Sequence, residues 1–266
     1  MSSNSTTFSL GRKQTWYKRT LVFKILNTIY MIYAGLFWII TFLMLFPLFV
    51  IADKFKLDKF GLRINHYWAK FFFPMIGVPV NIKYEHKIDR TKNYLFCGNH
   101  FSYLDIAIMP LMPVPIQFVG KLSIGKVPIF GYMFKRFHIT VDRSSMRERY
   151  ATYKRAVDAL KSGFSLGIFP EGGIKSKNIP TMAPFKEGPF RMAVETGTPL
   201  IPVSFGDNWH MFPDDKSFRF FRSKCRIIVH QPIEPSKYSL ENLQDFQDDV
   251  YQIIQNGIDK LNQKDQ

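Results

Sequence analysis

Cysteine is scarce: the 266 residues include only Cys97 and Cys225, with no CxxC spacing. That excludes a disulfide framework and a cysteine zinc site, and it points to a reducing, cytoplasm-facing compartment. Acidic residues are also few, 21 Asp and Glu against 36 Lys and Arg, for a formal net charge of +15. A balance this basic attracts anionic partners such as nucleic acid, acidic lipid headgroups or phosphorylated substrates. No nucleic-acid reader motif accompanies the charge, so nucleic acid is not an expected partner. Internal repeats and low-complexity linkers are absent. Ser102 lacks a GxSxG setting and Cys97 falls inside a strand candidate, so neither reads as a nucleophile. No His or Cys stands at ligand spacing from His100, and no metal or redox cofactor is expected.

Charge is missing altogether from one long stretch. Ile25 to Ala52 carries no charged side chain, and a membrane crossing needs about 20 apolar residues. The stretch is too long for a cleavable signal peptide and no small-residue cleavage site follows it. Basic residues flank both ends: Arg12, Lys13, Lys18 and Arg19 before it, Lys54, Lys56, Lys59 and Arg63 after it. Positive flanks favour the cytoplasmic side, so the segment is expected to span, or to dip in and return as a hairpin broken at Gly35 or Pro47. The expected division is a polar basic N-terminus (1–19), a membrane-anchoring apolar segment (20–64) and one globular domain (65–266), at the cytoplasmic face of the inner membrane. Phe71–Val80 is a second apolar surface, for lipid or for the core. The 27 Phe and 12 Tyr suit such a membrane-facing chain.

From about residue 79 short strands alternate with helices. The strand candidates are Val80–Tyr84, Tyr94–Cys97, Pro115–Val119, His138–Val141, Ser165–Phe169, Pro199–Ser204 and Arg226–His230. Met146–Ser162 reads as an amphipathic helix with Met146, Tyr150, Tyr153, Val157 and Leu160 on one face. A closing helix carries Leu240, Leu243, Phe246, Val250, Ile254, Ile258 and Leu261, with Ser239 as its cap. This alternation predicts an α/β fold, a mixed sheet flanked by helices, behind an N-terminal membrane-embedded helix or helical hairpin.

Three clusters carry candidate chemistry. The second strand ends in Gly98-Asn99-His100, and Asp105 follows. Strand ends are where sites gather in α/β sheets. An imidazole takes up a proton near neutral pH, and a carboxylate fixes its tautomer. Five residues apart, the two would diverge by about 140° on one helix at ~3.6 residues per turn. They meet only if His100 precedes the helix that carries Asp105. Alone, the pair reads more often as structural than as catalytic. The second cluster is Ile168-Phe169-Pro170-Glu171-Gly172-Gly173, a tight turn with Glu171 as a charge at the rim, followed by Lys175, Lys177 and Lys186. The third is Lys121, Pro128, Gly131 and Arg143.

In order and spacing, His100-x4-Asp105, Lys121…Pro128…Gly131…Arg143, Phe169-Pro170-Glu171-Gly172 and Pro199-Leu200-Ile201-Pro202-Val203 resemble the four motifs of the glycerolipid acyltransferases. The closest likeness is to the 1-acylglycerol-3-phosphate acyltransferases, over about residues 65–232. The resemblance implies an enzyme in which His100 deprotonates a lysolipid hydroxyl that attacks a thioester carbonyl directly, with Asp105 orienting His100. It implies acceptor contacts at Glu171 and Gly172, phosphate contacts at Lys121 and Arg143, and a pocket shaped by Pro202. Asn99, Gly173, Lys175 and Lys186 complete the candidate substrate-binding residues. The implied partners are membrane lipids, a lysolipid acceptor and an acyl-CoA or acyl-carrier protein donor.

One position departs from the family pattern. Ile174 stands where the third motif usually has an arginine, and Lys175 next to it is a point charge, not a bidentate fork. Lysophosphatidic acid remains the expected acceptor. The alternatives are a phosphate-free lyso-lipid such as a lyso-aminolipid, or a catalytically silent membrane-binding homologue, against which the intact His100 and Asp105 speak.

Overall fold

With no charge to interrupt it, the apolar stretch forms one continuous helix, α1 (Leu21–Lys54), of 34 residues. The computed structural model describes residues 21–142, 145–214 and 219–263; the polar stretch 1–19 and Arg143 lie outside them. The expected breaks at Gly35 and Pro47 do not occur. Proline removes one backbone hydrogen bond, but the helix is held on either side of it, by Phe46 on Tyr132 and by Phe49 on Phe137. The chain reverses three residues past the helix end, with Lys56 at φ 54, and α2 (Asp58–Met75) returns against α1. A boundary at residue 64 therefore falls inside α2.

Helix α1 touches the rest of the molecule along its length. The Asn27 amide exchanges hydrogen bonds with the Phe220 backbone, and the Tyr30 and Tyr33 hydroxyls donate to the carbonyls of Ile76 and Met75, both at 2.9 Å. Phe42 and Phe49 are buried, and Asp53 pairs with Arg136, which also reaches Asp58 at 2.7 Å. The opposite face, with Leu21, Ile25, Ile29, Ile32, Leu36 and Ile40, is exposed. The Phe71–Val80 surface divides: Phe73, Ile76 and Val78 enter the core, whereas Phe71 and Met75 stay exposed.

Behind the helices stands a seven-stranded mixed sheet. Its strands are β1 (Val80–Tyr84), β2 (Leu95–Gly98), β3 (Ile116–Lys121), β4 (Ile139–Val141), β5 (Ser165–Ile168), β6 (Leu200–Phe205) and β7 (Cys225–Val229). They lie in the order β1-β7-β6-β2-β5-β3-β4, and only β6 and β7 pair antiparallel. All seven strands were legible from the sequence to within two residues. Their side chains alternate between two cores, as the twofold repeat of a strand requires. Phe96, Phe118 and Val203 face the side covered by α2 and α3 (Tyr103–Ile108). Leu95, Cys97, Leu166 and Leu200 face α5 (Met146–Lys161), α6 (Gly188–Thr196) and α8 (Leu243–Gln263). Between β3 and β4 runs α4 (Phe130–Phe137), and α7 (Asn208–Met211) follows β6.

Two helix details differ from the expectation. In α5 the buried residues are Thr152, Ala156, Val157 and Leu160, while Met146 and Tyr150 are exposed, because the sheet covers only the last three turns. Ser239 does not cap α8, which begins at Leu243; its hydroxyl instead accepts from the Glu241 N–H in the preceding turn, leaving Leu240 exposed.

Candidate active site

The β2 and β5 strands are neighbours, yet the chain leaves them in opposite directions, from β2 across β5 to β3 and from β5 across β2 to β6. Such a switch point opens a crevice at the carboxyl ends of the strands. Register fixes what meets there: Cys97 pairs with Ile168, so three residues further on His100 lies level with Glu171.

His100 sits in the loop and Asp105 in the first turn of α3, the one arrangement in which this spacing brings them together. Nδ1 of His100 is 3.1 Å from Oδ2 of Asp105. The same oxygen accepts from the Phe101 and Ser102 N–H groups, both at 2.9 Å, and Oδ1 accepts from the Asn208 amide at 2.7 Å. Ser102 completes a capping box, its hydroxyl accepting from the Leu104 N–H at 3.1 Å and donating to the Phe212 carbonyl at 2.6 Å. Asp105 is fully buried, so this dense set of donors is what keeps its charge tolerable. On its other side the imidazole stacks on Phe169, with ring centroids 4.2 Å apart and planes at 19°. Tautomer, tilt and plane of the ring are thereby all fixed, which leaves Nε2 as the nitrogen available to a substrate.

Glu171 is not a rim charge. It is 1% exposed, and its carboxylate accepts from the His100 N–H at 2.7 Å and from the Ala183 N–H at 2.9 Å. Burial raises its pKa, and the two backbone donors act against that rise. The residue ties the histidine loop to the loop that follows β5. In that second loop Gly172 and Gly173 take φ values of 75° and 143°, which a side chain would strain. A Cβ on Gly172 would also sit 2.7 Å from Cε of Lys186, so the lysine stem lies directly over this turn. Asn99 pins the histidine loop to β6 by bonds to the Phe205 carbonyl, 3.1 Å, and N–H, 2.8 Å.

The structure thus gathers His100, Asp105, Asn99, Glu171, Gly172, Gly173 and Lys186 at one place. Lys121 ends β3 on the same edge but beyond β5, and Lys175 is exposed in the loop after β5. Pro202 is buried in β6 opposite Cys97, inside the sheet. The Cys97 thiol is fully buried, which pushes its pKa up. No group of three metal-binding side chains occurs among the described residues. Sequence reasoning missed Asn208, Phe169 as a stacking partner, and the capping box, although Ser102-x-x-Asp105 carried that signal. The N–H groups of His100, Phe101, Ser102 and Leu104 are all committed to Glu171, Asp105 and Ser102.

Residues 79–206, which hold both loops of the candidate site, match the Acyltransferase family. A 1-acyl-sn-glycerol-3-phosphate acyltransferase of Brassica napus is 27% identical over 191 residues, 69% of this chain and 54% of the relative. The Haemophilus influenzae enzyme of the same name is 25% identical over 205 residues, 74% of this chain and 81% of its own. Among the first relatives, from Brassica, Arabidopsis and Chlamydomonas, the match spans 54%, 56% and 59% of their lengths. The crystal structure of PlsC, the 1-acyl-sn-glycerophosphate (LPA) acyltransferase of Thermotoga maritima, superposes with a TM-score of 0.77 at 21% identity, covering 90% of this chain and 97% of that one. The acyltransferase domain and the helices before it therefore share that fold.

Proposed function

We propose that the chain transfers a fatty acyl group from acyl-CoA or acyl-carrier protein to the free hydroxyl of 1-acylglycerol-3-phosphate, giving phosphatidic acid. The observation that carries this reading is the buried His100–Asp105 pair, fixed on every side except Nε2. Nε2 takes the proton of the acceptor hydroxyl as its oxygen attacks the thioester carbonyl. The tetrahedral intermediate then collapses, the carbon–sulfur bond breaks, and the departing thiolate takes the proton back from the imidazolium. Asp105 supports the positive charge in between. The acceptor phosphate falls to Lys186 and Lys175, with Lys121 as a further cation on the same edge of the sheet and Arg143 as a candidate from its motif position alone.

The exposed face of α1 supports attachment to a membrane. Its contacts with the domain at Asn27 and at Asp53 argue against crossing, since about 1.5 Å of rise per residue puts these points about 39 Å apart. A hydrocarbon core of about 30 Å cannot separate them while both ends hold one domain. We therefore read α1 as lying in one leaflet, with the basic flanks and the two free, buried cysteines favouring the cytoplasmic face of the inner membrane.

Ile174 favours a second reading, a phosphate-free acceptor. An acceptor panel decides between them: the purified chain is offered lysophosphatidic acid and a lyso-aminolipid with one acyl donor. Preference for lysophosphatidic acid supports the first reading; turnover of the lyso-aminolipid alone replaces it with the second.

A further inference from the structure

The strand β3 ends on the site edge at Lys121, and the chain then makes a short loop before α4. Four apolar side chains of this segment face solvent: Leu122 is 40% exposed, Val127 45%, Ile129 43% and Tyr132 41%. Ile129 has φ 64 and ψ −57, and the Phe130 N–H donates back to the Pro128 carbonyl at 2.6 Å. This is a γ-turn with positive φ, a rare and strained conformation that a β-branched residue disfavours. A glycine would relieve it, so the side chain is retained at a cost, outside the core.

The loop is rigid in construction. A Cβ on Gly131 would lie 2.4 Å from the Gly125 carbonyl oxygen, so the two arms of the loop touch backbone to backbone. It is also mounted on α1: Phe130 packs on Trp38 and Phe42, with centroids 5.3 and 5.4 Å apart, and Tyr132 meets Phe46 edge-on at 5.6 Å. Exposed apolar surface on the loop therefore adjoins the helix whose outer face carries Leu21, Ile25, Ile29, Ile32, Leu36 and Ile40, and the exposed Lys126 lies beside it.

We infer that residues 122–132 form a second membrane-contact element, inserted beside α1 with Val127 and Ile129 among the acyl chains and Lys126 at anionic headgroups. The inference rests on the membrane reading of α1. Its consequence is positional: the site edge at Lys121 is held at the bilayer surface, where a lysolipid enters without leaving the membrane. Apolar burial favours insertion of each side chain, and an aspartate there opposes it.

The test uses the full chain and vesicles of phosphatidylcholine with phosphatidylglycerol. Val127→Asp/Ile129→Asp is compared with wild type and with Ile29→Asp/Leu36→Asp on α1. Sedimentation with vesicles should weaken about tenfold or more in the loop variant. Turnover of a long-chain acceptor in vesicles should fall with it, while that of a monomeric short-chain acceptor stays at the wild-type value. Ile129→Gly should fold at least as stably as wild type and still bind vesicles more weakly, which separates lipid contact from misfolding. Wild-type sedimentation of the loop variant, with binding lost in the α1 variant, overturns the loop's role and leaves the membrane reading standing. Wild-type sedimentation of both variants overturns both. A change in oligomeric mass of the loop variant with unchanged vesicle binding assigns the patch to a second copy and likewise overturns the inference.

Discussion

The two oxygens of Asp105 differ in what they do. Oδ2 faces His100 and two backbone donors, whereas Oδ1 accepts from the Asn208 amide. An isosteric Asp105→Asn keeps the ring in place and removes the charge that supports the imidazolium; activity should fall by about 10²–10⁴ in a protein that still folds. Near-normal turnover would contradict the role assigned to Asp105. Asn208→Ala should lower kcat about tenfold, since a hydrogen bond to a charged group contributes roughly 1.5–3 kcal/mol. KM should stay close to wild type. Activity reduced only in proportion to folded protein would make Asn208 structural. Asn208 was not legible in the sequence because it lies 103 residues from Asp105 and nothing local marks it. His100 and Asp105 were legible because the chemistry needs both types at a strand end, and Glu171 was misplaced because a charge beside two glycines resembles a surface turn.

At the scale of elements, β4 and α4 are joined to α2 through a buried histidine. His138 accepts from the Phe118 N–H at Nδ1, 3.2 Å, and lies 3.2 Å from the Asn65 amide at Nε2. Burial pushes its pKa down to about 3. The unfolded chain takes up a proton near pH 6.5 and the native state does not, so the neutral ring contributes stability above that pH that is lost on acidification toward 3. Between pH 7.5 and pH 5 this one residue should lower unfolding free energy by on the order of 2 kcal/mol. Denaturant titrations of wild type and His138→Phe in detergent check it: the variant should show a visibly shallower pH dependence, and identical slopes would contradict the argument. The strands were readable because their apolar runs are short and bounded by turns. The course of α1 was not, because Pro47 signals a break in isolation and only packing against α4 overrides it.

For the whole molecule, the question is whether a basic chain with an isoleucine in place of the family's arginine takes an acceptor that carries a phosphate. Lys175→Ala should reduce use of lysophosphatidic acid about tenfold and leave a phosphate-free lysolipid nearly unaffected. Ile174→Arg should improve lysophosphatidic acid use, Ile174 being half-buried beside a glycine turn with lysines around it. Equal losses on both acceptors in Lys175→Ala would remove that lysine from phosphate recognition. Charge and apolar runs in the sequence point to membrane attachment, but they leave open how such an anchor sits, because topology depends on where α1 meets the domain.

The account turns on His100 as the base that activates the acceptor. The most direct measurement is phosphatidic acid formation, followed by mass spectrometry, from lysophosphatidic acid and an acyl thioester by purified wild type and His100→Ala. Acyl-CoA and acyl-carrier protein are supplied in separate reactions, and circular dichroism and thermal melting confirm that both proteins are folded. Wild type should form phosphatidic acid with at least one donor, and His100→Ala should form it about 10²–10⁴ times more slowly. Comparable rates from the two folded proteins would contradict the account.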